Sequence, residues 1–287
     1  MPVSSTSDTQ TTAAVQAEFL RLLALIGCTG VYVDREARIE ASIGSQWNVH
    51  IDRAATVAGN VFSMKGRVVL DRDATVLGDV DSAAPVTLEP GASFEGNIID
   101  QSISVPVADI ELPILANAPT GADATVSNNA TINLSPGSYG KVELERGGTL
   151  ALQSGIYNFA ELQVERDSAI ALDLKSGALV INVNERIDIG RNVVATVTMP
   201  RGDAAQAVLF QVTQGDVALG RDVQIPGTFL APKGTISVDR GSSVEGALYA
   251  REVNIGRHVK FTGRPAESLL RKASAEWLGY ENCSQGS

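Results

Sequence analysis

Apolar and polar residues alternate along most of this chain in short bursts, and the bursts themselves repeat. Each burst opens apolar-x-apolar, continues with an acid or glycine and then an arginine, passes through a small residue, and ends on another apolar residue, usually with a glycine close behind. Ten copies begin at Val31 (VYVDREARIEA), Val49 (VHIDRAATVAG), Val68 (VVLDRDATVLG), Val86 (VTLEPGASFEG), Val142 (VELERGGTLAL), Leu162 (LQVERDSAIAL), Ile187 (IDIGRNVVATV), Val217 (VALGRDVQIPG), Ile236 (ISVDRGSSVEG) and Val253 (VNIGRHVKFTG). Nine of the ten carry the arginine, and Pro90 stands in its place in the fourth. Period-two alternation inside a repeat of about eighteen residues predicts strands wound into a solenoid. The expected fold class is all-β, a parallel β-helix, with the irregular insertions leaning toward a right-handed coil and short α-helices at both termini.

One copy cannot bury its apolar side alone, whereas copies stacked about 4.8 Å apart build a hydrogen-bond ladder and a continuous core together. Val49, Ile51 and Val57 are expected to lie on Val68, Leu70 and Val76. The small residues two places after the arginine, such as Ala37, Ala55, Ala74, Ala92, Ser168 and Ser242, fit a tight corner between two strands. Glycines such as Gly59, Gly78, Gly96, Gly227, Gly246 and Gly263 mark the next bend, where positive φ or close backbone approach is expected.

The rhythm divides the chain. Residues 1–30 hold a Ser/Thr-rich tail and a helix from Thr12 to Ile26, with Val15, Phe19, Leu22, Leu23 and Ile26 on one stripe and Gly27 as its stop. Residues 31–100 form a first solenoid segment. Residues 101–124, with Pro106, Pro113 and Pro119 and no copy of the repeat, read as a crossing segment. Residues 125–264 form a second solenoid segment, in which Arg146, Arg166, Arg191, Arg221, Arg240 and Arg257 mark the coils. Its two long intervals imply insertions near Asn182–Arg186 and Met199–Ala205. Residues 265–287 begin at Pro265 and place Leu269, Ala273 and Trp277 on one face of a closing helix.

Composition narrows the function more than the fold. The chain is 44% hydrophobic but only 5% aromatic, which suits narrow aliphatic coils. A net charge of −10 argues against nucleic acid, whose phosphates need clustered excess cations, and against adhesion to anionic membranes. No stretch approaches the length of a transmembrane span, so membrane insertion is not expected. Leu25-Ile26-Gly27-Cys28 looks like a lipoprotein cleavage box, but Glu18 and Arg21 interrupt the would-be apolar region and a cationic start is lacking, so a signal peptide is not expected. The sequence then reads as cytoplasmic, or as the mature form of a cell-surface or extracellular protein. Cys28 and Cys283 are the two cysteines. They form a disulfide if the chain ends meet, or remain free thiols in a reducing compartment.

Two columns of outward residues carry the candidate chemistry. Arg35, Arg53, Arg72, Arg146, Arg166, Arg221 and Arg240 form an expected interaction strip. The preceding position in most copies supplies Asp34, Asp52, Asp71, Glu89, Glu145, Glu165 and Asp239, so the strip reads either as a salt-bridge ladder or as a charged contact for a neighbouring subunit or an anionic polysaccharide. Three places past the arginine, Thr56, Thr75 and Thr149 form an alternative hydroxyl face of the kind that orders water on ice. That column also contains Arg38, Gln224 and Lys260, and the β-propensity of Thr explains it as well. Catalytic, metal and cofactor sites are not expected. The acids are spread through every coil beside an arginine rather than gathered in one cleft, and His50 and His258 sit in the repeat without a motif around them. Two histidines and two cysteines at these spacings make no metal site.

Two family resemblances follow from the aligned repeats. Residues 217–263, and residues 49–80 with them, resemble the last coils of bactofilins, polymer-forming bacterial cytoskeletal β-helices. That resemblance implies end-to-end filaments assembled without nucleotide. The stretch LSPGSYGKVELERGGTLALQSGIYNF from Leu134, continued by AVLFQV and GTFLAPKGTISV, is similar to ice-binding-like bacterial β-solenoids and to related surface-associated modules. This covers about half of the chain and implies a three-sided solenoid with a flanking helix. The expected function is a non-enzymatic structural solenoid for self-assembly or surface adhesion, partnered by itself or by another surface or cytoskeletal protein. Ice or carbohydrate binding is the alternative, with a β-helix carbohydrate-active enzyme behind it.

Overall fold

The computed structural model describes residues 23–100, 111–115, 119–264 and 277–282. Within them 26 strands form one sheet wound around a single core, all of its strand pairs parallel, and one antiparallel pair forms a second, small sheet. Each coil has three faces. Face A is the strand before the corner arginine, face B the strand after it, and face C the strand beyond the glycine bend. Val49, Ile51 and Val57 lie on Val68, Leu70 and Val76, as the repeat requires.

The order of coils in space is not their order in sequence. Leu25–Val33 enters mid-rod, four coils rise from Val31 to about residue 100, and the coiling resumes from Ala124 at the far end of the rod and climbs back. Val253 and Ile255 register with Val31 and Val33, which register in turn with Val49 and Ile51. Lys260–Gly263 lies between Ser243–Gly246 and Arg38–Glu40, while Leu25–Gly27 lies between Leu248–Ala250 and Ile43–Ser45. One coil is therefore composite, with faces A and B from one end of the sequence and face C from the other. Numbered along the axis, coils 1 to 6 begin at Ala124, Val142, Leu162, Ile187, Val217 and Ile236, coil 7 is the composite at Val253, and coils 8 to 11 begin at Val31, Val49, Val68 and Val86. Side chains stitch the seam: His258 Nδ1 lies 3.1 Å from a Glu36 carboxylate oxygen, and Thr262 Oγ1 donates to Glu40 at 3.1 Å across 222 residues of sequence.

The corner after face A is a tight turn that forces its second residue into the left-handed region. Glu36, Ala54, Asp167 and Asn192 have φ of 61°, 58°, 61° and 57°, and glycine takes the position at Gly91, Gly147 and Gly241. The turn closes with a hydrogen bond such as Ala55 N–H to the Asp52 carbonyl at 3.1 Å. The next residue points straight into the core, and Ala37, Ala55 and Ala74 are fully buried there. A small residue is needed because the two strands meet at that point. At the following bend Gly59 runs against the coil below, where an added Cβ would fall 2.5 Å from the Ala41 carbonyl carbon.

Faces A and B line the core mostly with aliphatic residues, Phe261 on face B of coil 7 being a buried ring among them. Face C adds rings, with Phe210 stacked on Phe229 at 4.6 Å and 3°. Its middle is also covered from outside, because Leu209, Gln211 and Leu230 alternate with the core residues and are still 0% exposed. Faces A and B keep their outward residues open, as does face C near the lower end of the rod, where Ile156 is 51% exposed.

Several sequence expectations change here. Leu25 and Ile26, expected to end a helix, are strand, because their apolar side chains complete the composite coil; the expected helical residues 12–22 lie outside the described residues. Trp277, expected on the closing helix, belongs to the strand Trp277–Asn282, which pairs with Glu111–Leu115 from the expected crossing segment; residues 265–276 lie outside the described residues. The first insertion sits at 174–178 rather than at 182–186, since Leu179–Val183 is a regular strand in register with Gly155–Phe159. The second holds the one α-helix among the described residues, Ala204–Ala207, capped by the Asp203 carboxylate. Cys28 is disulfide-bonded, and the chain's other cysteine, Cys283, lies outside the described residues.

Candidate functional site

Stacking turns the scattered arginines into one row. In axial order the corner position holds Asn128, Arg146, Arg166, Arg191, Arg221, Arg240, Arg257, Arg35, Arg53, Arg72 and Pro90. At seven of the nine arginines the following residue donates its N–H to the next corner arginine's carbonyl: Gly147 to Arg166, Asp167 to Arg191, Asn192 to Arg221, Asp222 to Arg240, Gly241 to Arg257, Glu36 to Arg53 and Ala54 to Arg72. The flanking bonds of Asp34 N–H to Ile255 and Arg38 N–H to Val259 carry the row over the seam. Nine consecutive coils therefore present an arginine on one edge, over roughly 38 Å at about 4.8 Å per coil. Arg191 and Arg257 fall in the same row as the seven strip residues read from the sequence.

The acids beside the row do not pair with it as a ladder. Asp34, Asp52 and Asp239 each turn a carboxylate oxygen back to accept the N–H of the following arginine, at 2.7, 2.6 and 2.7 Å, which fixes the corner. Burial would raise the Asp52 carboxyl, but the Arg53 N–H, the neighbouring Asp34 and Asp71 side chains and His50 outweigh it and hold it below the usual carboxylate range. Ion pairs within the row are Arg146 to Asp167 at 3.1 Å and Arg221 to Asp239 at 3.9 Å. Among the described residues the other seven arginines make none. Asp167 itself is held low chiefly by the hydrogen bond from Asn192, with Arg146 assisting.

The hydroxyl column does not form one face. Thr56 and Thr75 are neighbours on face B of coils 9 and 10, and the Thr75 hydroxyl meets Ser93 at 3.2 Å. Thr149 lies in coil 2, between Thr131 and Ala169. Gln224, Ser243, Lys260 and Arg38 fill coils 5 to 8 between the two stretches. What the sequence shows as scattered positions in the column is, in space, a polar band across the middle in which Lys260 and Arg38 are neighbours. Face B of coils 1 to 4 is left with Thr131, Thr149, Ala169 and Val194 in one column, Asn133, Ala151, Ala171 and Thr196 in the next, and Gln153, Asp173 and Thr198 in a third.

On face A a trough with a volume of about 600 Å³ follows the row through coils 4 to 9. Its floor is the backbone of Gly190, Gly220 and Gly256, the residues that replace an acid immediately before Arg191, Arg221 and Arg257. Asp188, Ala218, Ser237, Asn254, Tyr32 and His50 line it together with Asp34, Asp52 and Asp239, so it carries four carboxylates and none of the row's arginines. His50 Nε2 lies 3.1 Å from Asp71 Oδ2 without the alignment of a hydrogen bond. No group of His, Cys, Asp and Glu among the described residues could hold a metal.

A family profile described as an ice-binding-like adhesive domain matches residues 29–261, which is most of the chain and nearly the whole wound region. The chain belongs to this ice-binding-like adhesive domain family. Two solved structures are similar to it. An ice binding protein from an Antarctic Biological Consortium shares 14% identity at a TM-score of 0.40, over 84% of this chain and 87% of that one. An ice binding protein from an Antarctic bacterium of the Flavobacteriaceae shares 11% at 0.30, over 89% and 86%. At these scores the likeness carries no weight for function. Comparison with curated proteins gives no match.

For this ice-binding-like adhesive domain, the trough is the feature that sequence reasoning missed. A signal for it is present in the repeat: three copies read Gly-Arg where others read Asp-Arg or Glu-Arg. Stacking alone brings those glycines into one groove, because coils 4, 5 and 7 are close in space while the residues span 190 to 256.

Proposed function

We propose that this domain is a non-enzymatic adhesive rod that holds a repetitive surface through its open faces and the arginine row between them. The observation that carries this reading is the continuity of the row across the seam. Nine like charges at constant spacing on a rigid edge form a template for a repeating partner, not a cleft for one small substrate. Membership of an adhesive family supports it, as does the use of the row's acids in turn capping rather than in a reactive cluster. The partner is a polysaccharide or another surface component rather than nucleic acid, and the coil is taken as right-handed. In a bead-adhesion assay on polysaccharide gels, Arg35→Glu, Arg53→Glu and Arg72→Glu together are expected to reduce retention severalfold. Unchanged adhesion and unchanged oligomeric state in that variant contradict the reading.

A second reading, ice binding, is favoured by the hydroxyl and methyl columns on face B of coils 1 to 4, which Asp173 borders. Partition into slowly growing polycrystalline ice tests it, with Thr149→Lys and Thr196→Lys expected to abolish uptake. Self-assembly of the kind implied by the bactofilin resemblance has one local support. Leu88 of coil 11 is 42% exposed although Leu70 below it is fully buried, so the upper end of the rod shows part of its core. Negative-stain microscopy across concentration separates filaments from single rods.

A further inference from the structure

We propose that the trough on face A binds a linear uncharged polysaccharide laid along the solenoid axis, with its hydroxyls on the carboxylates of Asp34, Asp52, Asp188 and Asp239 and a sugar ring on Tyr32. The inference rests on the adhesive reading above and names the class of surface polymer.

Shape comes first. Asp188, Ala218, Ser237, Asn254, Tyr32 and His50 are successive register partners through coils 4 to 9, so the trough offers one outward side chain per coil over roughly 24 Å. A regular track suits an extended chain with a repeating unit better than a compact ligand. Its floor is closed to side chains, since an added Cβ at Gly220 would fall 2.8 Å from the Gly190 carbonyl carbon. Hydrogen bonding follows. Asp34, Asp52 and Asp239 are already oriented by the N–H of the next arginine, and an ionised carboxylate accepts from a hydroxyl more strongly than a neutral group does. The Ser237 and Tyr32 hydroxyls have no hydrogen-bond partner among the described residues. Tyr32, 39% exposed, rests its ring on Gly30, where an added Cβ would fall 2.7 Å from Cε2. A ring held in this way offers a sugar's C–H face an apolar surface at little cost in entropy. Charge decides the class. An anionic polymer would bring its charges onto four carboxylates, and a polycation would meet the arginine row along the adjoining edge. An uncharged chain rich in hydroxyls meets neither penalty.

Calorimetric titration of the purified protein with cellohexaose, laminarihexaose and maltohexaose tests the proposal, with a galacturonate hexamer and a glucosamine hexamer as charged controls. At least one neutral hexasaccharide is expected to bind, with an affinity that changes by less than about twofold as salt is added, and both controls are expected to bind at least tenfold more weakly. Tyr32→Ala removes the stacking ring and is expected to weaken binding about tenfold, while Tyr32→Phe keeps the ring and is expected to stay within about threefold of wild type. Ala218→Phe blocks the track and removes no polar group, and is expected to weaken binding to the same degree as Tyr32→Ala. Binding of a charged control as tight as that of every neutral hexasaccharide overturns the proposal. So does unchanged affinity in either the Tyr32→Ala or the Ala218→Phe protein when its circular dichroism is native. A protein that is retained on polysaccharide gels but binds none of the three neutral hexasaccharides overturns it and leaves the adhesive reading standing, whereas failure in both assays overturns both.

Discussion

Asp81 and Asp52 are the same residue on strands of neighbouring coils, and the protein treats them oppositely. Asp81 points outward from face C of coil 10, is 6% exposed, and has an unpartnered Oδ1. Burial there raises its carboxyl above the usual range. Asp52 ends face A of coil 9, where the Arg53 N–H and its neighbours overcome the opposing effect of burial. The pair shows a division of labour around the coil. Face C is covered on its outer side and contributes packing, while face A and its corner stay open, with polar groups ordered by the turn itself.

Breaking the covered side has the largest expected effect. Phe210→Ala removes half of the stacked pair with Phe229 from a fully buried site and is expected to cost about 3–5 kcal/mol in chemical denaturation. Next comes the acid on that side. A raised folded-state value means that native Asp81 keeps its proton to a higher pH than the unfolded chain does, so wild-type stability falls as pH rises through the carboxylate range. Asp81→Asn is expected to gain roughly 1 kcal/mol at pH 7, with the gain vanishing in acid. Asp52 runs the other way. Its depressed value contributes stability above the ordinary carboxylate range that is lost as pH falls through it, so Asp52→Asn is expected to lose stability at pH 7 and to match wild type in acid. Melting curves from pH 3 to 7 separate the two signs. The smallest effect is at the corner: Ala54 holds φ of 58°, and Ala54→Gly is expected to stabilise by about 0.5 kcal/mol, because glycine relieves the left-handed strain but loses more chain entropy on folding.

The parts of this architecture legible in sequence are those set by local repetition. Val49 over Val68 and the small residue at Ala55 follow from a period of about eighteen and from sterics at a corner. The position of Val31 on Val253 does not, because every copy offers an equivalent apolar edge and no local signal says which edge will meet which. Leu25 and Ile26 were ambiguous for another reason, since a short apolar run satisfies a helix stripe and a buried strand alike. The arginine strip was visible as a column, but its unbroken run exists only once coils 7 and 8 are joined. The acids misled, because a carboxylate beside an arginine in sequence can serve the backbone N–H as readily as the guanidinium.

The junction of coils 7 and 8 is thus the point on which the continuous row depends. Tyr32 and Asn254 are register partners across it, both directed outward on face A. With Tyr32→Cys and Asn254→Cys introduced together, mild oxidation or a short bifunctional thiol reagent is expected to cross-link them rapidly within a single chain, read by mass spectrometry of the monomer band. Absence of that cross-link, or its appearance only between chains, contradicts the account.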